Sequence, residues 1–316
     1  MQAKRILQAA FLMAAVATPG GAQSQETEFG AVLAGARSGF WGAMEKGIAQ
    51  AGVDLGARVV VRSPVDDDPQ TVAQNLQIKM VRSLIQDGAK AIILAPMPVA
   101  GVPTPVEIPV PVVFVDRASA DFKGLSTIST DNYAAGRAAA LTLQGYLSKG
   151  AKVGVLRLAP DVVSTTARET GFVDATREMG FDVVVDVYLG HGIREPQAAV
   201  AAALASYSGR LDAIFTPTDF TTFGALRALA ELPPDGRPRL VGFDYRPVFE
   251  DYLRSGDLHA FIVQDPFQMG YRAVQLLMEI QAGRQVPERV TIDALVVTAG
   301  NLGDPKIRTA LNQYRD

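Results

Sequence analysis

Short apolar runs alternate with amphipathic stretches along nearly the whole chain. Residues 29–34 are a brief apolar run, read as a strand. Residues 40–51 place Trp41, Met44 and Ile48 at helical spacing and end near Gly52. The β-branched run 57–62 reads as a strand, and a helix is expected from the Asp66-Asp67-Asp68-Pro69 opening to about Gln86. Two unbroken apolar runs, 91–95 and 111–115, have the character of strands buried on both faces. Prolines at 96, 98, 103, 105, 109 and 111 lie in or beside the segment between them, which predicts an irregular crossover instead of a helix.

The pattern restarts after 126–130. Strands are expected at 152–158, 182–187, 213–216, 240–243 and 259–263. Helices are expected at 133–147, 165–179, 196–205, 221–230, 248–255 and 267–282, with a last extended piece at 290–297. Alternating strand and helix implies parallel sheets flanked by helices, and two successive series imply two such domains, as a length of 316 residues allows. Ligands of open parallel sheets sit at the carboxyl ends of the strands, so the residues just after each strand carry the functional question.

The first residues read as an address. Lys4 and Arg5 form a positive start, residues 6–17 are apolar apart from Gln8, and Thr18-Pro19-Gly20-Gly21-Ala22 supplies helix breakers and small residues. This is the layout of a secretory signal peptide, residues 1–22, and the apolar run is too short for a spanning anchor. Removing it deletes two positive charges and takes the formal net charge from −3 to −5. A periplasmic location is expected.

Composition narrows the chemistry. A net negative charge argues against non-specific binding to nucleic acid or an anionic membrane. Cysteine is absent, which removes disulfides, thiolate metal sites and cysteine nucleophiles, and only His191 and His259 remain as imidazoles. The run Asp66-Asp67-Asp68 reads better as a helix cap before Pro69 than as a cation site. Ser164, Thr165 and Thr166 have no histidine at a recognisable spacing, and Gly35-Ala36-Arg37-Ser38-Gly39 runs into an aromatic pair instead of a phosphate loop. No catalytic set, cofactor or metal is expected.

The expected strand ends lead into Ser38, Phe40 and Trp41, then Asp116 and Arg117, then Arg168, Thr218, Asp244 and Gln264. A sugar ring has apolar C–H faces and a rim of hydroxyls. Flat aromatics cover the faces, while guanidinium forks and carboxylates satisfy neighbouring hydroxyls in pairs. Taken one at a time, the aromatics could be core residues and Asp116-Arg117 a surface ion pair.

The chain resembles the periplasmic sugar-binding proteins of ABC importers, in the ribose-binding group of the type I fold. The resemblance rests on Ser38-Gly39-Phe40-Trp41, Phe114-Val115-Asp116-Arg117, Thr130-Asp131-Asn132-Tyr133-Ala134-Ala135-Gly136, Arg168-Glu169-Thr170-Gly171-Phe172, Gly224-Ala225-Leu226-Arg227-Ala228-Leu229, Val241-Gly242-Phe243-Asp244 and Gln264-Asp265-Pro266-Phe267-Gln268-Met269-Gly270-Tyr271, in that order. It implies two doubly wound α/β lobes joined by a three-strand hinge, with crossings near 129–131, 264–265 and 291–293. The lobes would then be 23–130 plus 265–292 and 131–264 plus 293–316.

The resemblance further implies that Phe40 and Trp41 sandwich a sugar, that Asp116 and Arg117 bind its hydroxyls from the first lobe, and that Arg168, Asp244 and Gln264 bind from the second lobe and the hinge side. The family usually has Asn at Thr218 and often near Ser38, which leaves the identity of the sugar open. The expected partners are a small sugar and an inner-membrane ABC permease, with no nucleic acid, and the expected form is a monomer. A sensory subunit presenting sugar to a chemoreceptor or sensor kinase would have the same site and stays open.

Overall fold

The computed structural model describes residues 27–35, 39–64, 75–190, 195–205 and 207–315. The signal segment, Ser38, the Asp66–Asp68 run and His191 lie outside the described residues.

Twelve strands and nine α-helices are described. In chain order they are β1 (Thr27–Val32), α1 (Gly39–Leu55), β2 (Ala57–Arg62), α2 (Leu76–Gln86), β3 (Ile92–Leu94), β4 (Val112–Val115), β5 (Ser126–Thr130), α3 (Asn132–Leu141), β6 (Lys152–Arg157), α4 (Val163–Glu178) and β7 (Asp182–Tyr188). Next come α5 (Pro196–Ala205), β8 (Ala213–Phe215), α6 (Asp219–Ala230), β9 (Arg239–Phe243), α7 (Phe249–Ser255), β10 (Ala260–Val263), α8 (Pro266–Gln281), β11 (Arg289–Ile292), β12 (Leu295–Val297) and α9 (Pro305–Gln313).

The strands form two six-stranded sheets, ordered β11-β5-β4-β3-β1-β2 and β12-β10-β9-β8-β6-β7. Every pairing in the first is parallel, and in the second only β12 runs antiparallel, against β10. The interior strands β3, β4, β8 and β10 are buried at every position, because helices or loops cover both faces of each sheet. Period-two alternation then feeds two cores per sheet. Ala31, Ile93 and Val113 point to one face of the first sheet, while Val32, Ile92, Leu94, Val112 and Phe114 point to the other.

The two lobes repeat one plan. In each, the first helix packs against the helix that comes after a passage from the other sheet: α1 with α8, and α4 with α3. Glycine makes both contacts possible. A Cβ at Gly136 would lie 1.9 Å from the Arg168 carbonyl oxygen, and one at Gly47 would lie 2.0 Å from that of Phe267. The chain passes between the sheets after β5, between β10 and α8, and between β11 and β12.

Several boundaries differ from the sequence expectation. The helix expected at 133–147 stops at Leu141, and the chain then turns through Gly145 at φ 81°. The helix ending at Gln86 is described from Leu76, after Asn75 adopts a left-handed conformation (φ 50°), and its expected opening at 66–69 lies outside the described residues. The extended piece 290–297 is two strands in different sheets, and α9, which was not expected, opens on an Asp304 cap with Pro305 at its first position. Between β3 and β4 the proline-rich segment is irregular, as expected. Gln77 pins its start, donating to Ala95 O at 2.7 Å and accepting from Met97 N at 2.8 Å.

Candidate functional site

Asp116 comes directly after β4 and Asp244 directly after β9, the corresponding strands of the two sheets. Both adopt the left-handed region, at φ 68° and 61°. Each amide is fixed by the next strand: Asp116 N donates to Ile128 O at 2.8 Å and Asp244 N to Ile262 O at 2.7 Å. Aspartate tolerates this conformation better than bulkier residues, and such backbone strain concentrates where a side chain must be aimed. Here it turns a carboxylate out of the strand direction at the end of each sheet.

Around Asp244 the partners are specific. Arg168, one turn inside α4, donates Nη1 to Asp244 Oδ2 at 3.2 Å and to Pro217 O at 2.9 Å. Its guanidinium lies 3.9 Å from the Phe243 ring centre, a cation–π contact that holds the plane. Gln264 donates Nε2 to Asp244 Oδ1 at 2.7 Å. Burial pushes the Asp244 carboxyl above its ordinary value; Arg168 opposes this, and Asp219 and Asp116 add to it.

On the first lobe, Arg117 Nε lies 3.0 Å from Asp116 Oδ2 as an ion pair, yet that buried nitrogen makes no hydrogen bond within the described protein. Its guanidinium stands 6.0 Å from the Trp41 ring centre. Trp41 meets Phe40 edge-on at 4.9 Å, and both rings are half-buried. A Cβ on Gly35 would fall 2.5 Å from Trp41 Nε1, so glycine at the end of the first strand's turn is what admits the indole. Phe40 packs against the cores of both lobes.

The structure thus gathers Phe40, Trp41, Asp116 and Arg117 in one group and Arg168, Asp244 and Gln264 in a second, with Phe40 packed against the cores of both lobes. Thr218 stands beside them, but its hydroxyl caps α6, accepting from Thr221 N at 3.2 Å. Ser38 lies outside the described residues. Two interactions were not read from the sequence. Arg246 Nε donates to Asp219 Oδ2 at 2.6 Å, a third Asp–Arg pair near Asp244. Asn132 accepts from Arg168 Nε at 2.8 Å. Asn132 sits two residues beyond a strand end and within a motif that carries the family resemblance, but its contact with Arg168 left no mark in the sequence. Among the described residues, no cluster of three acidic or histidine side chains could hold a metal ion, and no helix is long and apolar enough to cross a membrane.

Two lobes with mostly parallel sheets, three chain passages and polar side chains at corresponding strand ends define a two-lobed binding protein. The chain belongs to the periplasmic binding protein domain family, whose profile matches residues 29–285. Among curated proteins it is 26% identical over 271 residues to the ribose import binding protein RbsB of Bacillus subtilis, covering 80% of this chain and 81% of that protein. It is 23% identical over 291 residues to the D-allose-binding periplasmic protein of Escherichia coli, covering 86% and 92%. Among solved structures, a carbohydrate transporter solute binding protein from Agrobacterium radiobacter in complex with D-arabinose superposes with a TM-score of 0.75 at 25% identity, covering 92% of this chain and all of that one. These relatives are named as binding proteins, not as enzymes.

Proposed function

We propose that this protein captures a neutral monosaccharide, a pentose, hexose or polyol, between its lobes and delivers it to an ABC importer. The observation that carries the reading is the pair of strand-end groups at corresponding places in the two sheets, Trp41 with Asp116-Arg117 and Asp244 with Arg168 and Gln264. An indole face suits the C–H face of a sugar ring, and paired donors and acceptors suit vicinal hydroxyls. Charge supports the same reading: Asp116 with Arg117, Asp244 with Arg168 and Asp219 with Arg246 balance pair by pair, leaving no net charge to neutralise an anion. Relatives named for ribose, D-allose and D-arabinose point to the same ligand class.

The lobes would be residues 23–130 plus 265–292 and 131–264 plus 293–316, closing on the ligand as a hinge, which shifts the population toward the closed form. Ser38, Phe40, Trp41, Asp116, Arg117, Arg168, Thr218, Asp244 and Gln264 form the ligand set. Residues 1–22 direct export, and the mature protein is a periplasmic monomer beginning near Gln23 and partnered by an inner-membrane permease. A thermal-shift screen of pentoses, hexoses and polyols tests the reading. The correct sugar at ~100 times its dissociation constant stabilises by ~2.7 kcal/mol. No shift with any member would count against a monosaccharide ligand.

A further inference from the structure

The bonds around Arg168 and Gln264 close into a ring. Thr130 Oγ1 donates to Gln264 Oε1 at 2.8 Å, and Gln264 Nε2 donates to Asp244 Oδ1 at 2.7 Å. Asp244 Oδ2 accepts from Arg168 Nη1 at 3.2 Å, Arg168 Nε donates to Asn132 Oδ1 at 2.8 Å, and Asn132 Nδ2 donates to the Thr130 carbonyl at 3.3 Å. The chemistry of the members fixes the direction of every bond. Arginine only donates and an ionised carboxylate only accepts, so the Asn132 amide must turn its oxygen to Arg168 and the Gln264 amide its nitrogen to Asp244. Each amide is then left with one orientation, and the remaining end of each meets Thr130.

The ring also spans the hinge. Thr130 is the last residue of β5 in the first sheet, Asn132 opens α3 on the second lobe, and Gln264 comes directly after β10 in the second sheet. Thr130, Gln264 and Arg168 are buried, so water competes poorly for these bonds. A free Arg168 side chain would sample many rotamers, and ordering it on binding would cost affinity.

We propose that Thr130 and Asn132 are positioning residues for the sugar site: through the ring they preset the Arg168 fork and the Asp244 carboxylate without contacting the ligand, and they tie that geometry to two of the chain passages between the lobes. The proposal rests on the sugar-site reading above. The preset pair leaves Arg168 Nη2, which makes no hydrogen bond among the described residues, as the donor to present to a ligand.

The test has a sugar-free arm and a sugar arm. In the sugar-free arm, NMR tracks hydrogen exchange of the Arg168 Nε–H in wild type, Asn132→Leu, Thr130→Val and Thr130→Ser. Exchange is expected to be slow in wild type and faster in Asn132→Leu, which removes its acceptor. It should also be faster in Thr130→Val, which touches only the far side of the ring, and be restored in Thr130→Ser. Wild-type exchange in Thr130→Val would overturn the ring as a coupled unit. In the sugar arm, calorimetry measures D-ribose, D-arabinose and D-allose. Asn132→Leu and Thr130→Val are each expected to weaken binding about tenfold, the scale of one lost hydrogen bond, with Thr130→Ser close to wild type. The double variant should lose less than the product of the two. Unchanged affinity in both single variants, alongside loss in Arg168→Ala, would overturn the positioning role. A wild-type protein that bound none of the three would instead count against the site reading, while the exchange data would still decide the ring.

Discussion

Trp41 is the only tryptophan in the chain, and its half-buried ring lies between Phe40 and the Arg117 guanidinium. Sugar binding is therefore expected to change its fluorescence. Trp41→Ala should weaken binding by roughly 1–3 kcal/mol, the scale of one buried ring; calorimetry on the folded variant checks it. Asp244 gives a pH signature. Burial holds its carboxyl above the ordinary aspartate range, against the pull of Arg168. The folded protein therefore keeps that proton to a higher pH than the unfolded chain. The cost of the ionised form is fully present above the raised value and is relieved as pH falls through it, while a protonated Asp244 loses its charge-assisted bonds. Sugar affinity should fall through that raised value, before ordinary aspartates titrate, and titrations at stepwise lower pH would show it. Charged and aromatic residues after strands could be picked out from the sequence because their types are rare there and chemically pointed. Asn132 could not, since its role lies in which atom of Arg168 it meets, and that is set by three-dimensional proximity between residues 36 apart. Thr218, selected for its place after a strand, also caps a helix.

At the scale of elements, the helix pairs α3–α4 and α1–α8 depend on glycine at the contact. Gly136→Ala puts a methyl 1.9 Å from the Arg168 carbonyl oxygen, and Gly270→Ala puts one 2.3 Å from that of Met44. Each should destabilise by roughly 1–3 kcal/mol, as overpacking does, read from urea unfolding midpoints. Only Gly136→Ala pushes directly on the backbone that carries Arg168, so it should weaken sugar binding more than Gly270→Ala does. Interior strands were legible in the sequence because burial on both faces writes them as unbroken apolar runs; β3 and β4 came within a residue or two of 91–95 and 111–115. The split of 290–297 was not legible in the apolar pattern; the crossing near 291–293 came from the family resemblance alone. β11 and β12 are both short and edge-placed, and sheet membership is decided by partners far away in the chain, β5 and β10. The overrun of α3 has a local reason: Leu143 and Leu147 continue an apolar spacing past the point where the backbone turns.

For the whole molecule, pairwise charge balance at the strand ends predicts sugar affinity nearly independent of ionic strength, since a neutral ligand has no charge to screen. Calorimetry at low and high salt decides it, and a collapse at high salt would indicate an anionic sugar acid. A second charge cluster governs acid stability. Burial pushes Glu250 up, but the Tyr245 hydroxyl at 2.8 Å and then Arg315 and Arg254 outweigh it, so its carboxyl is held below the ordinary value. Stability from this group is present above the unfolded value of ~4.3 and is lost as pH falls through the folded one. Glu250→Gln should lower the unfolding midpoint at neutral pH and flatten its decline in acid. The exchanged helices carry a consequence for the order of events at synthesis. The first lobe takes α8 and β11 from residues 266–292, after the chain has already laid down five of the second sheet's six strands. Its α1 lacks its helical partner, and β5 its outer neighbour, until most of the sequence exists. Neither lobe can finish as an N-terminal unit on the ribosome, so the two must complete together and late, and a nascent chain stays open for nearly the whole of its translation.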